Sequence, residues 1–166
     1  MDSSIIKSLT DTLIQKYGVC DDNGAEGVVI DITNSSDLTV NDITQYIMNL
    51  ECYISRLKEL HWSAADDKTH VLTDELIKKL SGYQDTMAED YMGFSGTKFS
   101  IGFLNGGCGC ESTTLPDLLN SLSEDTNLMY DVIRRATPSN RLRGMEHTLN
   151  EIMDTINRYL YKETQK

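Results

Sequence analysis

The sequence predicts an all-α protein in which four long helices form a bundle that follows a short N-terminal appendage. Apolar side chains recur mostly at helical spacing, and the 166 residues contain only two prolines. Four periodic segments of roughly 22 residues are joined by a short, a long and a short connection. We therefore expect residues 1–38 to form the appendage and residues 39–166 to form the four-helix bundle.

The appendage is expected to combine a short helix with an extended segment. Residues 3–17 have an amphipathic pattern, and Gly18 follows them as a stop signal. Residues 20–27 resemble a turn, and residues 28–32 a short strand or extended segment. No pattern in this part indicates a function.

The first two long helices are predicted between Asn41 and Met92. The first begins with Asn41 or Asp42 as its N-cap and ends near Ser63. The second runs from about residue 67 or 69 to Met92, where Gly93 ends it. The apolar stripe of the first helix is Ile43, Ile47, Leu50, Ile54 and Leu57, with His61 on the same stripe. The stripe of the second is Leu72, Leu76, Leu80, Tyr83, Met87 and Tyr91.

The third and fourth helices follow a segment, residues 93–113, that is rich in Gly and Ser and lacks a strong helical period. The third begins at Thr114 with Pro116 in its first turn, and residues 137–139 break the chain. The fourth runs from about residue 140 to 161. A connection of about 20 residues can run back along a helix of about 33 Å, as parallel second and third helices would require. The buried side is predicted to comprise Leu115, Leu118, Leu119, Leu122, Met129, Val132 and Ile133, then Leu142, Met145, Leu149, Ile152, Ile156 and Leu160.

Composition restricts the classes of partner. The formal net charge of −11 argues against broad binding of nucleic acids or anionic membranes and suits a protein that gathers cations. No apolar run approaches the ~20 residues of a membrane span, and the N-terminus lacks a secretory pattern. The four cysteines form no pair of CxxC motifs, so we expect reduced thiols in the cytoplasm. Cys108 and Cys110 are interpreted as incidental loop thiols, with a soft-metal site as the alternative.

Two pairs of metal-ligand side chains lie on the predicted second helix. His70 with Asp74, and Asp85 with Glu89, are each spaced i, i+4, so each pair shares a helix face. The eleven residues from Asp74 to Asp85 keep all four on one stripe but separate the pairs by about 16 Å. Because one ion cannot bridge that distance, a shared metal requires the opposite pair of a second, antiparallel copy of the helix.

The alternative is that this stripe is simply the solvated face of an amphipathic helix, since it points away from the predicted core. Ser81 and Ala88 lie on the same stripe and would let another helix approach closely. His61 lies on an apolar stripe, where a purely solvated histidine is unexpected, although a satisfied core histidine is a common alternative. Lys78 lies between the two pairs and must bend aside or join an ion pair.

These residues resemble the ferroxidase signature of the Dps-type miniferritins, the DNA-binding proteins from starved cells and their relatives. Leu60-His61-Trp62 closes the first helix, and His70 and Asp74 open the second. Asp85-Thr86-Met87-Ala88-Glu89 then follows at the family's spacing. The resemblance covers residues 57–93 and extends to the later helices only as ferritin-like architecture.

The resemblance implies that His61, His70 and Asp74 come from one subunit, and that Asp85 and Glu89 come from its two-fold partner. These five residues would be both the iron ligands and the catalytic residues of a mono-iron or di-iron site. The implied activity is oxidation of Fe(II) by hydrogen peroxide or oxygen, with storage of ferric mineral in a hollow homo-oligomer that protects against peroxide. The implied assembly is a dodecamer built from two-fold dimers, in the cytoplasm or, if phage-encoded, in a virion.

The chain also departs from this family. The stretch from Ser63 to Thr69 is shorter than the family's usual form. Residues 1–17 contain only Lys7 and Lys16 and lack the lysine-rich tail by which some family members hold DNA, which argues against DNA as a partner. The short stretch and Lys78 favour an alternative function, a ferritin-like scaffold or a shell- or virion-associated assembly protein without oxidase activity. A di-metal oxidase site within one chain is disfavoured because no Glu-x-x-His occurs.

Overall fold

The computed structural model describes residues 35–100, 114–136 and 142–165, with side chains from residue 41 onward. The chain divides into two compact units, Met1–Asp31 and Ile32–Lys166, and all described residues belong to the second. Four helices make up most of the described residues: α1 (Ser35–Ser63), α2 (Asp67–Ser95), α3 (Leu115–Arg135) and α4 (Arg143–Thr164). The described ranges contain no strand, which confirms the prediction of an all-α fold with four helices. The elements predicted within residues 1–32, as well as Cys108 and Cys110, lie outside the described residues.

Neighbouring helices in the bundle run antiparallel. α1 and α2 form a hairpin, as do α3 and α4, and α1 also packs on α3 while α2 packs on α4. The direction of the α2–α4 pair follows from two hydrogen bonds, from Tyr159 to Glu75 (2.8 Å) and between Tyr83 and Thr155 (3.0 Å). Because residue numbers rise along α2 as they fall along α4, the two helices are antiparallel. It follows that α2 and α3, which are diagonal to each other, point in the same direction.

The interior of the bundle is built from the predicted apolar stripes. Their residues are buried apart from Tyr83, Val132 and Leu160, which are half-buried against the same core. The pattern did not reveal a set of buried hydrogen-bonded tyrosines. Tyr53 donates to the buried Asp125 carboxylate (2.7 Å), and Tyr46 shares a hydrogen bond with Thr126 (2.8 Å). These bonds satisfy the polar atoms that α1 and α3 place in an otherwise apolar interface.

The helix ends differ from the predictions at three places. α1 begins at Ser35, before the predicted N-cap and inside the segment expected to be the appendage. α2 continues through Gly93 and ends at Gly96, whose φ of 70° is the left-handed conformation that glycine adopts without strain. α4 runs from Arg143 to Thr164, a few residues later than expected. The predicted start of α3 is confirmed, since Thr114 caps it by accepting from the Asp117 amide (3.3 Å).

Cys52 is disulfide-bonded, which contradicts the expectation of reduced thiols for this residue. No helix among the described residues combines the length and the apolar character needed to cross a membrane.

Candidate metal site at the α1–α2 hairpin

The tight connection between α1 and α2 brings His61 and His70 together. Asp66 caps α2, since its carboxylate accepts from the Thr69 amide (2.8 Å) and the Thr69 hydroxyl (2.8 Å). This cap fixes where α2 starts, so His70 faces the last turn of α1. The two imidazole rings stack with centroids 3.9 Å apart and planes inclined by 25°.

Reciprocal hydrogen bonds define the orientation of both imidazoles. Nδ1 of His61 lies 3.1 Å from the His70 carbonyl oxygen, and Nδ1 of His70 lies 3.2 Å from the His61 carbonyl oxygen. A carbonyl oxygen can only accept, so each Nδ1 carries the proton. In the neutral ring, Nε2 then keeps its lone pair. Metal-binding histidines commonly show this arrangement, with one ring nitrogen bonded to a carbonyl and the other available to the metal.

Thr73 supports the histidine pair from the core side of α2. Its side chain is fully buried, and its hydroxyl donates to the backbone carbonyls of Thr69 (2.8 Å) and His70 (3.0 Å). The same oxygen lies 3.4 Å from Nδ1 of His61. Sequence analysis did not identify Thr73; the available signal was a hydroxyl one turn after His70, next to the apolar stripe.

Asp74 lies one turn after His70 and is ion-paired. Its Oδ2 is 2.6 Å from Nζ of Lys78, one turn further along α2. The hydrogen bond from Lys78 is the main cause that lowers the pKa of Asp74 below its ordinary value; desolvation partly opposes this effect, and the charge of Lys78 adds to it. Asp74 is therefore held as a carboxylate in the electrostatic range of both histidines.

Asp85 and Glu89 lie in the second half of α2 with exposed side chains. Within the described part of the chain, neither makes a hydrogen bond or a salt bridge to a protein group. They are separated from His70 and Asp74 by about 16 Å of helix. The structure thus places the five predicted residues in two groups, His61, His70 and Asp74 at the hairpin and Asp85 and Glu89 further along the same helix.

Neither group is a finished metal site in one chain. Among the described residues, no three His, Cys, Asp or Glu side chains are arranged to hold an ion. The chemistry of the donors nevertheless suits iron, because two imidazole nitrogens combined with carboxylate oxygens form a mixed set that Fe(II) accepts. The hairpin can supply two nitrogens and one carboxylate, and any further ligand must come from outside the described residues.

Exposed apolar side chains flank the histidines. Trp62, which directly follows His61, is 76% exposed, and Val71, which directly follows His70, is 52% exposed. The indole of Trp62 is therefore not buried by its own chain.

Comparison of the chain with protein-family models, with curated proteins and with solved structures finds no match.

Proposed function

We propose that this chain is a Dps-like ferroxidase that oxidises Fe(II) at sites shared between two copies of α2. The observation that supports this most is the hairpin itself. His61 at the end of α1 and His70 on α2 are anchored through Nδ1 with Nε2 available. His70 shares its face of α2 with the ionised Asp74 and with Asp85 and Glu89. The role of the carboxylates is to hold and partly neutralise the cation, and the imidazoles supply nitrogen donors.

The spacing of the ligands is symmetric about the middle of α2, as a two-fold axis requires. When two copies of α2 pack antiparallel with His70 opposite Glu89 of the partner subunit, Asp74 falls opposite Asp85 of the partner subunit. The two-fold axis then crosses α2 at the level midway between residues 79 and 80, and one dimer contains two equivalent sites. Ser81 and the adjacent Gly82 lie close to the axis, where their small size permits close helix contact.

The exposed apolar residues support the same association. Val71 lies on the face of α2 that carries the candidate ligands. In the antiparallel arrangement it falls opposite Ala88 of the partner subunit. Val71 is already about half-buried, so burying the rest of its side chain contributes on the order of 1 kcal/mol. Trp62 adds a larger apolar surface beside His61, so both are expected to become buried in the dimer.

The helix directions support a ferritin-like connection between α2 and α3. Because these two helices are diagonal and parallel, the segment from residue 96 to 114 must return along the bundle. α3 spans about 31 Å at 1.5 Å per residue. Nineteen extended residues reach about 60 Å, which is ample for this return. We infer that dimers of this kind assemble further into a hollow dodecamer that stores the ferric product.

The proposed reaction uses peroxide as the two-electron oxidant, with oxygen as the alternative oxidant. Two Fe(II) ions each give one electron, the O–O bond of hydrogen peroxide breaks, and its oxygens leave as two waters after taking up two protons. Of the chain's own groups, the carboxylates bind the substrate cations and the imidazoles orient them. The net charge of −11 would favour entry of cations and disfavour binding of DNA.

The test is anaerobic addition of Fe(II) followed by peroxide, with the rise in ferric absorbance as the readout. Replacing Asp85 and Glu89 by alanine should lower the initial rate at least tenfold, whereas replacing the exposed Glu151 and Asp154 of α4 should leave it unchanged. Equal rates in the Asp85 and Glu89 variant and the parent would contradict the proposal. So would a monomeric mass in solution, because a monomer cannot complete the site.

One observation favours a second candidate function, a ferritin-like scaffold or shell- or virion-associated assembly protein without oxidase activity. Lys78 already occupies the Asp74 carboxylate that iron would need. A scaffold would show the oligomer but no peroxide-dependent oxidation of Fe(II), so the same experiment separates the two functions.

A further inference from the structure

Lys78 lies inside the proposed iron site rather than beside it. Its ammonium is 2.6 Å from Oδ2 of Asp74, and both side chains are open to solvent, with 73% and 46% of their surface exposed. Oδ2 therefore has a bound cation that belongs to the protein. An incoming metal ion and the ammonium compete for the same carboxylate oxygen.

The other two lysines of α2 are directed elsewhere. Lys68 donates to the carbonyl oxygens of Glu163 (3.0 Å) and Gln165 (2.8 Å) at the end of α4. Lys79 lies near Glu75, whose pKa it helps to lower. Lys78 is thus the lysine of α2 that pairs with a proposed iron ligand, Asp74. Lys79 carries the same charge at the next position but does not pair with a proposed ligand.

We propose that Lys78 is a built-in counter-ion that must leave Asp74 before iron binds, and that it thereby sets the affinity of the site for Fe(II). This inference rests on the proposed function. In the empty site, the ammonium neutralises the carboxylate next to two imidazoles and reduces the attraction for stray cations. When iron binds, the ammonium moves into solvent, at the cost of the ion pair and of repulsion between Lys78 and the metal.

The experiment measures Fe(II) binding under strictly anaerobic conditions by titration calorimetry, with Co(II) and its visible absorption as a second probe. Lys78→Met should bind Fe(II) about threefold to fivefold more tightly. It removes both the ion pair, which contributes about a factor of two for an exposed i, i+4 pair, and the repulsion between the ammonium and the metal. Lys78→Arg, which keeps the charge, should stay within about twofold of the parent. Lys79→Met is the matched control for loss of one positive charge from α2, and it should also stay within about twofold.

The outcomes separate this inference from the proposed function. If the parent binds Fe(II), loses binding when Asp85 and Glu89 are replaced, and is unchanged by Lys78→Met, the role of Lys78 is refuted while the site stands. An equal increase in Fe(II) affinity in Lys78→Met and Lys79→Met would also refute the role of Lys78, because the increase would then reflect the overall charge of α2. Binding by Lys78→Met alone would support it strongly, and binding by none of the proteins would overturn both the inference and the proposed function.

Discussion

A site shared across a two-fold axis can be rebuilt from two damaged chains. His70→Asn with Asp74→Asn removes the histidine end of the site, and Asp85→Ala with Glu89→Ala removes the carboxylate end. Each variant alone forms dimers in which both sites are broken. In a dimer with one chain of each kind, one site receives both damaged ends and the other receives both intact ends.

The size of the recovery follows from counting sites. If the two variants are produced together in equal amounts and pair at random, about half of the dimers are mixed, and each mixed dimer has one intact site out of two. The co-assembled protein should therefore oxidise Fe(II) at about one quarter of the parental rate per chain. All four replaced side chains are exposed or half-exposed in the described chain, so no core is disturbed.

The assay is the initial rate of ferric absorbance after peroxide addition, on co-assembled protein purified through a tag that both variants carry, so that mixed and unmixed dimers are recovered alike. Each variant expressed alone provides the baseline. A co-assembled protein no faster than this baseline would refute the intersubunit site, because a site built within one chain gains nothing from mixing. Far-UV circular dichroism at equal concentration checks that both variants retain the helical fold.

Three further predictions concern the bundle. Tyr53→Phe removes the hydrogen bond to buried Asp125 and should cost about 2 kcal/mol in urea unfolding; a cost below about 0.5 kcal/mol would contradict this. Burial raises the pKa of Asp42 to about 6, so its contribution to stability is present at low pH and is lost as pH rises from about 4 through 6. Asp42→Asn should therefore stabilise the protein by about 1 kcal/mol at pH 7, a value reduced for its partial exposure, and by much less near pH 3.5; equal effects at both pH values would contradict this. A Cβ at Gly144 would lie 2.5 Å from Asp90 Oδ2, so Gly144→Ala should be neutral or destabilising alone but stabilising by about 0.5–1 kcal/mol when Asp90 is alanine; additive effects in a double-mutant cycle would contradict this.

The fold was predictable because one physical rule dominates it. In each described helix, apolar residues repeat at helical spacing, and a bundle must bury that stripe, so residues such as Leu76 and Ile152 were assigned correctly to the core. Helix ends depend on weaker, competing signals. Gly93 costs a helix only about 1 kcal/mol, and Met92 and Phe94 pack on the core around it, so α2 continues to Gly96.

The buried polar contacts were not predictable from the same pattern. A tyrosine on a helix is compatible with surface or core, and only the packing of α1 on α3 reveals that Tyr53 reaches Asp125. The exchange of hydrogen bonds between His61 and His70 likewise depends on how tightly the hairpin closes, which spacing does not specify. The spacing did place four of the five candidate ligands and Lys78 on α2, and the fifth, His61, at the end of α1. The Lys78–Asp74 ion pair was one of the two arrangements expected for that lysine.

Packing of the bundle also determines what kind of partner can complete the site. α2 uses Leu72, Leu76 and Leu80 to contact its own chain, and among the described residues Asp85 and Glu89 stay exposed on another face of the helix. An unrelated partner would have to present a complementary set of ligands at a matching spacing of about 16 Å. A second α2 presents that set at once, because the spacing of His70, Asp74, Asp85 and Glu89 is the same in both directions along the helix, so each histidine end meets a carboxylate end. Self-association is therefore the simplest way to bring four ligands of two types together, and it creates two sites with one contact.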